Sequence, residues 1–268
     1  MIDFHNHFLP DVDDGPKTME ESILMLKNAI QNGITEVVQT VHFQHPKMEG
    51  KNVDYSYLKN KVFDVENELR KQNLTIKIHL SSEVFYLPNL VEISNNPLLT
   101  IGDGKYMLIE FKPNIYPINY EKEFYDLQSV GITPIIAHPE RYRFIQQNLS
   151  ILDVWKNRGF VIQLDAGSLI GHFGEKIKDL SIKMIENGYV HLLGSDAHNS
   201  RKRNFCLIDA YSIIESILGI DKLNIMKKNS KNIVYGGDII SLDKLKNNKF
   251  SKYFYILKKI KNILKLDS

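Results

Sequence analysis

Seven short apolar runs, at residues 2–4, 35–41, 75–80, 106–111, 133–137, 160–164 and 190–193, start roughly every 27–40 residues along this chain. Such an interval holds one strand, one helix and two loops. Helices are expected over 54–72, 120–130, 149–158, 175–187 and 203–218. An earlier one opens at Thr18-Met19-Glu20-Glu21, a capping box that satisfies amides left free at a helix start. Gly33, Gly131, Gly159 and Gly188 fall where helices must stop before the next strand. Apolar strands in strict βα alternation need a parallel sheet covered by helices, and seven such units close, or nearly close, an α/β barrel. A barrel of this kind takes up residues 1–238 of the 268 and leaves a basic extension, 239–268.

The active sites of β/α barrels form at the C-terminal ends of the strands, so the residues following each apolar run matter most. They are His5 and His7 after the first, His42 after the second, Glu83 after the third, Glu110 at the end of the fourth, His138 after the fifth, and Asp196 and His198 after the seventh. Side chains at i and i+2 of a strand share a face, so His5/His7 and Asp196/His198 can each serve one metal ion. Five imidazoles and three carboxylates without a thiolate suit a mixed N/O site for Zn, Mn or Fe, and eight ligands overfill one tetrahedral site, which implies two or three ions. Such ions lower the pKa of bound water towards ~7 and clamp ester oxygens. Glu110, ending a central strand, is expected to bridge ions. His45, His79, His172 and His191 lack this placement and are assigned structural or surface roles.

An anionic substrate needs cations besides the metals. Arg141 follows His138 in HPERYRF, and Arg201 and Arg203 follow His198 in HNSRKR. Their planar guanidiniums suit bidentate contact with phosphate, although Arg201, like Arg143 and Lys202, also reads as a solvated loop charge. The turn Asp11-Val12-Asp13-Asp14-Gly15 fails the EF-hand pattern, because its glycine stands fifth rather than sixth, and Asp14 is expected to take or relay a proton. The single cysteine, Cys206, is followed six positions later by Ser212 rather than by the arginine a thiolate phosphatase requires. With no signal peptide and no disulfide partner, the chain is expected to be cytoplasmic.

Residues 1–16, the SSEVFY and MLIEF segments, AHPERY and GSDAHN resemble the bacterial manganese-dependent tyrosine-protein phosphatases encoded with capsular and exopolysaccharide genes, within the polymerase and histidinol phosphatase (PHP) superfamily. The resemblance runs over about 1–236. It implies a distorted seven-stranded (β/α) barrel, a trinuclear centre that most often holds Mn²⁺, and dephosphorylation of tyrosines in the tail of a membrane-bound autokinase that regulates polysaccharide export. It also implies the eight metal ligands named above, phosphate-binding Arg141 and Arg203 with Arg201 competing, and Asp14 as the acidic turn residue. No nucleic-acid partner is expected, and the oligomeric state stays open.

Other readings are a phosphatase for histidinol phosphate or another small phosphomonoester, and a non-catalytic, metal-stabilised module that docks on a kinase. A carboxylated-lysine amidohydrolase is disfavoured, since strand four ends in Glu110. Residues 243–268 carry eight lysines against two aspartates, a net +6 within a total of +2, leaving −4 on the rest. Tyr253, Leu257, Ile260 and Leu264 form an apolar stripe among these lysines, the pattern of a helix that packs on the barrel or touches an anionic membrane.

Overall fold

The apolar runs become seven parallel strands, hydrogen-bonded in the order of the sequence: β1 (Ile2–Asn6), β2 (Glu36–Phe43), β3 (Lys77–Phe85), β4 (Tyr106–Glu110), β5 (Thr133–Ala137), β6 (Val161–Asp165) and β7 (Leu192–Gly194). The computed structural model describes residues 1–48 and 54–242. Just past the end of β7 the backbone returns to β1: Asp196 N–H donates to His5 O at 2.7 Å, and His7 N–H donates to Ala197 O at 2.8 Å. The sheet thereby curls into a nearly closed barrel.

Helices α1 (Met19–Gln31), α2 (Tyr55–Lys71), α3 (Leu90–Ile93), α4 (Tyr120–Ser129), α5 (Arg143–Gln147), α6 (Ile151–Asn157), α7 (Ala166–Ile170), α8 (Glu175–Glu186), α9 (Leu207–Leu218) and α10 (Ile220–Val234) follow the strands. Thr18 caps α1 by accepting from Glu21 N–H at 3.3 Å. Helix α10 lies beyond the expected set. It is set off from α9 by Gly219 alone, at φ +80°, and buries Leu223, Met226, Ile233 and Val234.

Alternation along the strands divides the core. Val37, Val41, Met107, Ile109, Ile136 and Ile162 face outward beneath the helices. Phe4, Val38, Leu108, Ile135, Val161 and Leu192 fill the barrel interior, with Ile233 and Val234 of α10 packed among them. This apolar plug occupies the N-terminal half of the barrel and leaves the C-terminal half for polar chemistry.

The boundary expected after Asp238 falls inside a packed segment. Asn229 holds Ile240 through a reciprocal pair, Ile240 N–H to Asn229 Oδ1 at 2.9 Å and Asn229 Nδ2 to Ile240 O at 2.8 Å. Lys156 Nζ donates to Leu242 O at 2.6 Å, and the Leu242 side chain is buried. Residues 239–242 therefore pack on the barrel through the backbone of Ile240 and the backbone and side chain of Leu242. The lysine-rich stretch 243–268 lies outside the described residues.

Candidate metal centre

The period-two row that fills the barrel interior with apolar side chains ends in ligands. Thr40 and His42 continue the row of Val38, Glu110 that of Leu108, and Gln163 and Asp165 that of Val161. Parallel register pairs His42 with Glu83 and sets Glu110 opposite Phe85, one inward-facing position farther along the barrel. Strand β3 runs five residues past its expected end, so Glu83 lies within it. Pairing of β1 with β2 is irregular between Asp3 and Asn6, and there the chain packs Phe4 in the interior cluster while His5 reaches Gln163. His138 and Asp196 sit at the strand ends with φ of +32° and +47°, left-handed conformations that non-glycine residues adopt at a cost and that cluster at functional sites.

Glu83 is the hub. Its Oε1 lies 2.7 Å from His138 Nε2, and its Oε2 lies 3.1 Å from His5 Nε2, 3.4 Å from His7 Nε2 and 3.3 Å from His42 Nδ1. Three groups place ligand atoms mutually within 4.8 Å: His5, His7, Glu83 and Asp196; His42, Glu83 and Glu110; and His7, Asp14, His42 and His198. His138 stands against the hub outside these groups. Glu83 joins two of them and has two oxygens to share, whereas Glu110, expected to bridge, enters one group.

The donors fit cations rather than one another. His42 Nδ1, Glu110 Oε1 and Asp196 Oδ1 are buried without a hydrogen-bond partner, although His42 Nδ1 and Glu110 Oε1 approach to 3.3 Å. His5 Nε2 and His7 Nε2 face each other at 3.2 Å. Their Nδ1 atoms are engaged by Gln163 Oε1 at 3.0 Å and Asp13 Oδ2 at 2.8 Å, while His198 Nδ1 meets Asp196 O at 2.8 Å. An imidazole that donates from Nδ1 to an oxygen presents a lone pair on Nε2, the arrangement typical of metal-binding histidines.

The imidazoles and carboxylates of the cluster shift one another's titration. Burial opposes the charge on His42, as does His7, yet the nearby carboxylates of Asp14, Glu110 and Glu83 push it up to about 10. Burial also opposes ionisation of Glu83 and Asp196. Glu83 is nevertheless held well below the usual carboxylate range by the charge of His5 and hydrogen bonds from His138, His5 and His7, and Asp196 by the charges of Arg141, His198 and His5. Bound cations would replace these protons.

A cavity of about 450 Å³ opens above the cluster, lined by Asp14, His42, Glu110, His138, Asp196, His198, Arg141 and Arg203 and also by His45, Phe85 and Lys112. Arg141 pairs with Asp165 and, at 2.6 Å, with Asp196, and its guanidinium carbon lies 4.2 Å from the centre of the Phe173 ring. Arg203 Nη2 also lies 2.6 Å from Asp196 Oδ2. Arg201 does not reach the mouth: it lines an outer groove with Thr18, Glu20, Glu21 and Leu24, because Asn199 Oδ1 caps the turn at Arg201, Lys202 and Arg203 and leaves the first two outward. Asp14 stands in a donor group, 2.9 Å from His198 Nε2 and 3.3 Å from His42 Nε2.

Three residues escaped the sequence reading. Asp165 ends β6, the strand given no ligand, in the row that yields Glu110 elsewhere; that position was the available signal. Asp13 is buried behind His7 and had no signal beyond its acidic turn. His45 was assigned away from the centre, yet it lies on the cavity wall with Nε2 3.7 Å from Glu110 Oε1. His79 and His191 are structural, bonded to Glu36 Oε2 at 2.8 Å and to Ile162 N–H at 3.1 Å, and His172 is exposed.

A β/α barrel whose mouth gathers imidazoles and carboxylates for more than one cation, with guanidiniums on the rim, defines the class of metal-dependent hydrolases. Residues 1–235 match the capsular polysaccharide synthesis family CpsB/CapC, and the chain belongs to that family. CapC of Staphylococcus aureus is 35% identical over 258 residues, 96% of this chain and 100% of its own. The tyrosine-protein phosphatase YwqE of Bacillus subtilis is 34% identical over 232 residues, 86% of this chain and 90% of its own. Among solved structures, those of YwqE from Bacillus subtilis and CpsB from Streptococcus pneumoniae are described as metal-dependent tyrosine phosphatases; the matching chain has a TM-score of 0.86 at 32% identity, covering 92% of this chain and 100% of that one.

Proposed function

We propose that this chain is a metal-dependent protein-tyrosine phosphatase that hydrolyses phosphotyrosine on a membrane-bound bacterial tyrosine kinase, at a centre holding two or three ions, with Mn²⁺ the native metal and Fe or Zn able to substitute. The observation that carries the reading is the convergence of unpartnered imidazole and carboxylate atoms around Glu83, beneath a mouth that bears Arg141 and Arg203. His5, His7, Glu83 and Asp196 would hold one ion, His42, Glu83 and Glu110 a second, and Asp14, with His198, a third; His138 completes the set. When bound, the ions supply Lewis-acid charge to phosphoryl oxygens and a nucleophilic water at neutral pH.

The chain's own residues do the rest. Arg141 and Arg203 donate forked N–H groups to the phosphoryl oxygens and orient the ester. Asp165 and Phe173 fix the Arg141 guanidinium, so little conformational freedom is lost when substrate arrives. Asp13, Gln163 and the Asp196 carbonyl keep His7, His5 and His198 in the tautomer that offers Nε2. Among the described residues no helix is long and apolar enough to cross a membrane. The enzyme acts from the cytoplasm, and residues 243–268 bring it weakly to the anionic inner face of the membrane where the kinase resides.

Metal-reconstituted protein should be assayed on a phosphotyrosine peptide, p-nitrophenyl phosphate and histidinol phosphate. Preferred turnover of the peptide supports the reading. Preference for histidinol phosphate would reassign the substrate, and no turnover with the metal bound would leave a docking module.

A further inference from the structure

His45 stands at the mouth with its hydrogen bonding inverted with respect to His5, His7 and His198. Gln44, which follows β2 at φ +60°, is clamped to Asn89 by a reciprocal amide pair at 2.7 and 3.3 Å, and this fixes where the loop leaves the strand. His45 then enters the short 3₁₀ turn Pro46–Met48, where Lys47 N–H donates to His45 Nδ1 at 3.1 Å and Met48 N–H to His45 O at 2.8 Å. The ring packs edge-on against Phe85, 5.2 Å between centres at 79°. His5, His7 and His198 each meet an oxygen through Nδ1 and so expose a lone pair on Nε2. His45 accepts at Nδ1, so its neutral ring carries the proton on Nε2 and presents a donor to the cavity, facing Glu110. It also sits farther out than the ligands, its side chain 17% exposed against 0–9% for His5, His7, His42 and His198.

Resting on the phosphatase reading above, we infer that His45 is a further catalytic residue, donating its Nε2–H hydrogen bond to the aryl oxygen that leaves through the mouth. As water oxygen bonds to phosphorus and sheds a proton to solvent, the bond from phosphorus to the aryl oxygen breaks and its electron pair passes to that oxygen. The Nε2–H group stabilises the growing charge without giving up its proton, and the phenolate takes a proton from solvent on release. A donor of this kind matters most for a poor leaving group such as tyrosine, whose phenol has a pKa near ~10.

The test compares wild type, His45→Gln and His45→Ala, all loaded with Mn²⁺, on aryl phosphates of graded leaving-group pKa ending in a phosphotyrosine peptide. The expected result is unchanged metal content, a loss in kcat for His45→Ala that climbs with leaving-group pKa to about 10² on phosphotyrosine, and partial recovery in His45→Gln, which retains an N–H donor. Nitrogen-15 shifts of His45 in the metal-free protein should report the Nε2–H tautomer. Equal losses across the series, a fall in metal content, or an Nδ1–H tautomer would each overturn the assignment. A wild type that turns over no aryl phosphate would overturn the phosphatase reading and the inference together, an outcome distinct from the other three.

Discussion

Replacing His191 by asparagine should flatten the acid side of the protein's stability profile. His191 lies on the barrel floor, away from the metal centre, where burial and then the nearby Lys156 charge depress its pKa from 6.5 to about 4. Its Nδ1 accepts from Ile162 N–H at 3.1 Å, an acceptor that asparagine Oδ1 can replace. Above pH 6.5 both folded and unfolded chains hold the ring neutral. As the pH falls, the unfolded chain takes up a proton near 6.5 and the folded chain only near 4, so native stability is lost through that window. The fall from 6.5 to about 4, at ~1.36 kcal/mol for each pH unit, corresponds to about 3 kcal/mol. The assay is denaturant unfolding of metal-free wild type and His191→Asn at pH 7 and pH 4. Lost packing lowers the variant equally at both pH values, and the metal ligands titrate in both proteins, so the difference between the two isolates His191. The variant should gain about 3 kcal/mol relative to wild type on going from pH 7 to pH 4. A constant difference would refute the argument, showing that the ring is protonated in the folded state or reached by water.

Arg141→Ala and Arg203→Ala should each lower kcat/KM on phosphotyrosine peptide by about 10²–10³ with metal content unchanged, while Arg201→Ala stays near wild type; elemental analysis beside steady-state kinetics checks all three. A Cβ at Gly194 would stand 2.4 Å from His5 Cβ, so Gly194→Ala should cost about 1–3 kcal/mol in thermal unfolding and weaken Mn²⁺ binding by displacing His5. A chain ending at residue 242 should unfold like the full chain but bind anionic vesicles less. One ending at 238 should lose about 3 kcal/mol or more, because Leu242 burial and the Asn229 and Lys156 hydrogen bonds go with it.

The barrel was legible because a short apolar run marks each strand and Gly33, Gly131, Gly159 and Gly188 stand just past α1, α4, α6 and α8. Strand ends were less so. Strand β3 continues through Ser81 and Ser82, which carry no apolar signal yet are both buried. Helix α10 was missed although its apolar spacing is helical, since Gly219 marks a stop without announcing a restart. At the centre, position after a strand identified the proposed ligands, but three-dimensional facts decided the rest. That Glu83 is the hub follows from the β2–β3 register and the length of β3, whereas Arg203 rather than Arg201 facing the mouth and His45 pointing inward depend on loop turns set by Asn199, Gln44 and Lys47. No spacing rule in the sequence encodes those turns.

The central claim is that one chain gathers more than one ion around Glu83 and needs them to cleave phosphotyrosine. Metal-free protein should be titrated with Mn²⁺ while bound metal and hydrolysis of a phosphotyrosine peptide are followed together. Activity should be absent without metal, appear as occupancy passes one ion per chain and level off at two or three. Full activity at one ion per chain, or in metal-free protein, would contradict the account.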